Sequence, residues 1–150
     1  MKKAVGMVTV AVLAFAGLAS GGDPAKKDLD MMQGKWSVQS IKESDGKNPP
    51  DDELKNLEVI VKDDTMKIIY APKKDTLDAF KLKLDPAKKP KAVDFTHTEG
   101  PDKGKTELGI YKIEGDTVTI CVNDFEKERP TEFKTKEGSK ITVIVLKKMK

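Results

Sequence analysis

The chain has 150 residues, enough for one folded domain and too few for two ordinary ones. Its 28 basic and 25 acidic residues leave a formal charge of +3, spread along the chain with both signs interspersed, which gives no broad field for nucleic acid. A single cysteine, Cys121, excludes an internal disulfide.

Lys2 and Lys3 precede an uncharged stretch over residues 4–19, and Ser20, Gly21 and Gly22 follow it. This order of charged, apolar and small residues predicts a secretory signal over residues 1–19, cleaved after Ala16 or Ala19, and an exported protein, periplasmic or secreted. A retained membrane anchor is the competing reading, but the run is short for a spanning helix and Gly6 and Gly17 interrupt it. No cysteine follows the run to take a lipid, so no stable membrane anchor is expected once the signal is removed. Lys2 and Lys3 leave with the signal, and the mature chain keeps 26 basic and 25 acidic residues, a charge of +1.

Residues 20–30 read as a polar linker, and residues 31–150 as the domain. A helical turn is predicted over residues 28–33, after which Gly34-Lys35-Trp36 opens a β-type run to Lys42. Asp45-Gly46-Lys47 and Asn48-Pro49-Pro50 are turn signals. Residues 51–57 then read as a short helix, with Pro50 before it and acids at its positive end. Further β-type runs are predicted at 57–62, 65–71, 77–84, 91–98, 106–114, 117–123, 131–135 and 141–148. Phe80, Leu82 and Leu84 alternate with Lys81 and Lys83, and Val118, Ile120 and Val122 alternate with Thr117, Thr119 and Cys121. Period two sends alternate side chains to opposite faces, so each run offers one face to a core and one to water. Gly115-Asp116 sits between two such runs and favours a tight hairpin. Strands joined in sequence by short turns pair antiparallel, and a meander of this length closes on itself to remove its edges, giving a barrel of about eight to nine strands. An open curled sheet or a sandwich is the alternative.

Leu84-Asp85-Pro86, Lys89-Pro90-Lys91-Ala92, Glu99-Gly100-Pro101, Lys103-Gly104-Lys105-Thr106, Gly109-Ile110-Tyr111, Gly115-Asp116-Thr117 and Glu128-Arg129-Pro130-Thr131-Glu132-Phe133 together resemble the lipocalin-like domain family found mainly in planctomycete bacteria. The resemblance covers nearly all of the mature chain. It implies a mainly β domain: a lipocalin-like barrel with one or two short helices, of a family without an established activity. Gly34-x-Trp36 after a helical turn also resembles the opening of lipocalins and fatty-acid-binding proteins, in which the Trp packs across the barrel floor beneath a basic side chain of the last strand. Lys147 or Lys148 would supply that partner here. A lipocalin's flanking C-terminal helix is not expected, because the last strand runs to the end of the sequence. The short helix over 51–57 is also less than the helix-turn-helix lid of a fatty-acid-binding protein. The family commonly has Pro-Gly before the Arg-Pro pair, where this chain has Phe125-Glu126. Phe125 would gate a cavity, contact a partner or fold back on the core.

Five residues are singled out as ligand-binding candidates: Trp36, Asp94, Tyr111, Arg129 and Phe133. Arg129 is the only arginine against 27 lysines, and its planar fork suits either a carboxylate clamp at a barrel mouth or a structural hold on a salt bridge or loop carbonyls. Asp94 is either an inward acid paired with Arg129 or Tyr111, or an outward solvated one. Tyr111 either presents its hydroxyl to a cavity or packs at the end of a strand, and Trp36 is either a floor or a ligand platform. Cys121, on the face opposite Ile120, reads as an apolar filler beneath a loop or strand. His97, the only histidine, has no second imidazole or cysteine pair at metal-ligand spacing, and it faces either water or a partly filled interior. No nucleophile elbow, phosphate loop, dinucleotide fingerprint or calcium loop is present. No catalytic residue, metal or cofactor is therefore assigned. The expected function is an exported module that binds a small apolar or anionic ligand without transforming it. The alternative is a filled barrel acting on an envelope protein partner, as an interaction or inhibitor-like domain.

Overall fold

A computed structural model of the protein describes residues 23–44, 48–123, 128–135 and 137–150. The secretory signal, the turn at Asp45-Gly46-Lys47 and Phe125 lie outside the described residues.

Eight antiparallel strands close into a barrel in sequence order. They are β1 (Gly34–Lys42), β2 (Leu57–Lys62), β3 (Thr65–Tyr70), β4 (Asp75–Asp85), β5 (Ala92–His97), β6 (Thr106–Glu114), β7 (Thr117–Asn123) and β8 (Ile141–Lys148). β8 returns to β1 through pairs such as Val38 with Leu146, which leaves no sheet edge. The expected barrel is present and the open sheet is not. Residues 131–135, expected as a ninth strand, are bends and coil. Their alternation is consumed differently, because they lie across the outside of the wall.

The alternation sorts inside from outside. Val59, Met66, Phe80, Phe95, Tyr111, Ile120 and Leu146 share one buried core. The lysines at 81 and 83, between Phe80, Leu82 and Leu84, face water. The β6–β7 hairpin turns at Gly115, whose φ of 61° belongs to the left-handed region that glycine enters without steric cost. Gly109 answers a different need: a Cβ there would come within 2.8 Å of the Cys121 carbonyl oxygen, so only hydrogen lets β6 and β7 approach.

Two helices complete the domain. Helix α1 (Pro24–Met32) starts earlier than the turn read from the sequence. The Asp23 carboxylate caps it by accepting from the Ala25 amide, and Pro24 fills the first turn, where no backbone donor is required. Helix α2 (Asp51–Leu54) carries Asp51, Asp52 and Glu53 in its first turn and buries Leu54 in the core. It is shorter than expected because the 57–62 run is already strand. Antiparallel connectivity puts α1, the β2–β3 and β6–β7 turns and residues 86–91 at one end of the barrel. It puts α2 and the 71–74 and 98–105 connections at the other.

Candidate functional site

The two ends differ. At the α1 end the floor is filled. Trp36 and Met32 are each 1% exposed, and the Trp36 indole N–H donates to the Met32 carbonyl at 2.8 Å. Lys148 places its ammonium 4.9 Å from the centre of the Trp36 ring and donates to the Gln33 carbonyl, so the expected basic partner from the last strand is Lys148. The Gln33 side chain in turn grips the β2–β3 turn, accepting from the Asp63 amide at 2.7 Å and donating to the Asp63 carbonyl at 2.8 Å. Beside this floor the Asp28 carboxylate, 7% exposed, accepts from the Tyr111 hydroxyl at 2.6 Å and from the Lys91 ammonium at 3.0 Å. Burial, and then the Asp28 hydrogen bond, push the Tyr111 phenol well above its ordinary value of 10.0. Tyr111 is thus an interior seal.

The opposite end is hollow. A cavity of about 310 Å³ is lined by apolar side chains that include Met66, Phe80, Phe95, Ile120 and Ile144. Its polar groups are His97, Glu107, Asp78, Asp102 and Thr142. His97 and Glu107 are buried, and Nε2 of the imidazole shares a 2.6 Å hydrogen bond with Glu107 Oε2. Nδ1 of the same ring lies 3.7 Å from Asp78 Oδ1, so one imidazole sits between two carboxylates. The Phe80 ring is tilted against it at 4.6 Å, and Phe95 meets Phe80 edge-on at 5.7 Å. Desolvation raises the Asp78 carboxyl above the usual carboxylate range, the like charge of Asp102 adds to this, and His97 opposes it.

Local structure explains this placement. His97 ends β5, and its amide donates to the Lys105 carbonyl while its own carbonyl accepts from the Gly104 amide. These two bonds close the 98–105 connection over the cavity rim and bring Asp102 onto the wall. Asp78 continues the inward face of Phe80 and Leu82, and β4 carries a bulge just beyond it at Leu77: Ile68 pairs with Asp78 while the next residue, Ile69, pairs with Thr76. Leu77 is left outside, 53% exposed. Among the described residues, no group of three His, Cys, Asp or Glu side chains is arranged to hold a metal ion.

The five residues singled out from the sequence do not form one site, and none lines this cavity. Trp36 and Tyr111 belong to the sealed floor. Asp94, Arg129 and Phe133 belong to the outer wall, where residues 128–135 form a strap. The Arg129 guanidinium donates from Nη1 to the Val93 and Gly109 carbonyls, at 3.1 and 2.9 Å, and from Nη2 to Asp94 Oδ1 at 2.8 Å. Asp94 therefore faces outward and is nevertheless paired. Phe133 packs on a second, outer cluster of Ile110, Cys121, Ile141 and Val143, with the Lys112 ammonium 5.0 Å from its ring. Cys121 is fully buried under the strap and donates to the Glu132 carbonyl, and burial pushes its thiol up to about 11. A strap that buries an apolar cluster and is fastened by a bidentate fork is a structural device.

Sequence reasoning missed Glu107 and Asp78 as site residues. A signal for them existed. Asp78 continues the Phe80–Leu82 face, His97 the Val93–Phe95 face, and Glu107 the Gly109–Tyr111 face. Extending each apolar alternation by one step towards the same barrel end would have brought the three together. Comparison of the chain with family models, with curated proteins and with solved structures returned no match.

Proposed function

We propose that the protein is an exported small-ligand-binding barrel of lipocalin-like type, which holds its ligand in the hollow end without transforming it. The observation that carries this reading is the cavity itself. An interior of about 310 Å³, apolar on most of its wall and with a few polar groups that include the buried His97–Glu107 pair, has the make-up of a small-molecule site and the lower end of the usual size. The sealed floor supports the same reading, since a barrel that is packed throughout needs no such division. The charged, apolar and small-residue order of residues 1–22 supports export.

Native mass spectrometry of the protein purified from its own cells, compared with its denatured mass, tests the proposal. A discrete excess mass that is lost on denaturation is expected, and it should disappear in an Ile120→Trp variant that fills the cavity. An excess mass that survives this substitution would place the ligand elsewhere. If the native protein carries nothing and takes up no small molecule when challenged, the surface-acting envelope module becomes the better account.

A further inference from the structure

The sealed end of the barrel carries a feature that the cavity does not use. A groove of about 290 Å³ opens at the surface between residues 86–91, the end of β6 and Phe133 of the strap. Lys88, Lys89, Lys91 and Lys112 stand around it, and among the described residues no carboxylate lines it. The rest of its wall is Pro86, Pro90, Tyr111, Ile113 and Phe133. Two of the cations are engaged: Lys91 donates to Asp28 at 3.0 Å, and Lys112 lies 3.6 Å from Glu114 and 5.0 Å from the centre of the Phe133 ring. Lys88 and Lys89 are exposed and, among the described residues, have no ion pair. The turns at this end, 63–64, 86–91 and 115–116, are all described, and residues 1–22 contain no acid. The groove is also preformed. The Tyr111 amide donates to the Lys91 carbonyl at 3.0 Å and ties the connection to β6, while the Asp85 carboxylate accepts from the Ala87 amide at 3.3 Å and holds its start. Pro86 and Pro90 fix φ and offer no backbone donor, so little order has to be gained on binding.

We propose that this groove is a docking site for an acidic segment of a partner protein, one that carries an aromatic or large apolar side chain among its carboxylates. The apolar side chain lies between Pro86, Pro90 and Phe133, and the flanking carboxylates meet Lys88 and Lys89. Such an occupant matches both halves of the surface. A small inorganic anion would satisfy the lysines and leave the apolar wall in water. A bilayer asks for apolar groups that protrude beyond the cations, whereas Ile113 and Phe133 are half-buried and Lys88, Lys89 and Lys112 stand exposed around them. Exposed ion pairs each contribute little, so affinity depends on several of them acting with one seated side chain. The same positive charge steers an acidic partner to the groove.

A capped peptide with one phenylalanine between pairs of glutamates, titrated calorimetrically into the full mature chain, tests the proposal. Two controls accompany it: the same peptide with glutamine for glutamate, and with alanine for phenylalanine. The acidic aromatic peptide is expected to bind about tenfold more tightly than either control, and added salt should narrow its advantage over the glutamine peptide. Lys88→Gln and Lys89→Gln should each weaken it about threefold, and together remove most of that advantage without changing urea unfolding. Ile120→Trp, which fills the hollow end, should leave peptide affinity at its original value. Equal binding of the glutamine peptide, an unchanged affinity in the double lysine variant, or no binding at all would overturn the proposal. Binding to phosphatidylglycerol vesicles without binding of the peptide would overturn it in favour of a membrane surface. Each of these failures leaves the ligand-binding cavity untouched, since that reading is tested at the other end of the barrel.

Discussion

At the α1 end, Trp36, Met32 and Tyr111 are buried, and the polar groups among them, the Trp36 indole N–H, the Tyr111 hydroxyl and Asp28, are hydrogen-bonded over short distances. At the opposite end the same period-two alternation leaves a cavity, and its polar residues are a histidine, three acids and a threonine. Alternation decides which face a side chain takes. Whether that face is filled depends on side-chain size and on what lies across the lumen. The floor is filled because a helix crosses it and supplies Met32 and Asp28 from outside the sheet. The hollow end has α2, whose single turn brings in Leu54. One end is thus built for stability, and the other keeps polar groups in a place where a packed core would exclude them.

The sharpest way to break this comparison is Trp36→Ala. Loss of a fully buried indole and its bond to Met32 should cost about 3–5 kcal/mol in urea unfolding. A loss below about 1 kcal/mol would show that the floor is not a packed unit. Tyr111→Phe is gentler, since Asp28 keeps Lys91, and should cost about 1–2 kcal/mol with the cavity's affinities unchanged. Arg129→Lys should cost about 1 kcal/mol, because an ammonium cannot hold two carbonyls and a carboxylate in one plane. Its affinity for a cavity ligand should stay at the original value, and a loss of binding without a loss of stability would restore the clamp.

The buried thiol gives a pH test of the outer wall. Cys121 keeps its proton in the folded state up to about 11 and loses it near 9.0 once unfolded. The unfolded chain therefore binds fewer protons across that window, and stability should fall as the pH rises from 9.0 towards 11. Tyr111, raised above its ordinary 10.0, acts in the same direction. Chemical unfolding at several pH values checks this, and Cys121→Val should flatten the part of the slope that Cys121 contributes. The smallest effect belongs to Thr142→Val on the cavity wall, where no tight packing is disturbed and a change within about 0.5 kcal/mol is expected.

Much of the fold was legible in the sequence because it depends on local signals. Gly115-Asp116 marks a hairpin, and Val118, Ile120 and Val122 mark an inward face. The 141–148 run coincides with β8. The strap was misread as a strand because Thr131 to Thr135 has β-type composition, while its partners are outer-wall groups of β5, β6, β7 and β8. The site was less legible. Asp28 meets Tyr111 across 83 residues of sequence, and neither carries a local mark of the other. Arg129 was singled out for its rarity, and that rarity reflects a structural need for a fork, met by two backbone carbonyls that no sequence pattern displays. Asp78 stood one step beyond the readable Phe80–Leu82 face, next to a bulge at Leu77 that is set by pairing rather than by composition. His97 and Glu107 stood at the ends of readable faces, and their meeting depended on the β5–β6 register.

The most direct test is to titrate phenethyl alcohol, a small neutral aromatic probe, into isotope-labelled protein and map the backbone amide shifts. The account predicts perturbations concentrated at Phe80, Phe95, His97, Glu107 and Ile120, with the Trp36 indole signal and the 128–135 strap unmoved. Perturbations centred on Trp36 and Tyr111, or on Arg129 and Phe133, or none at any residue, would contradict a barrel with one sealed and one receptive end.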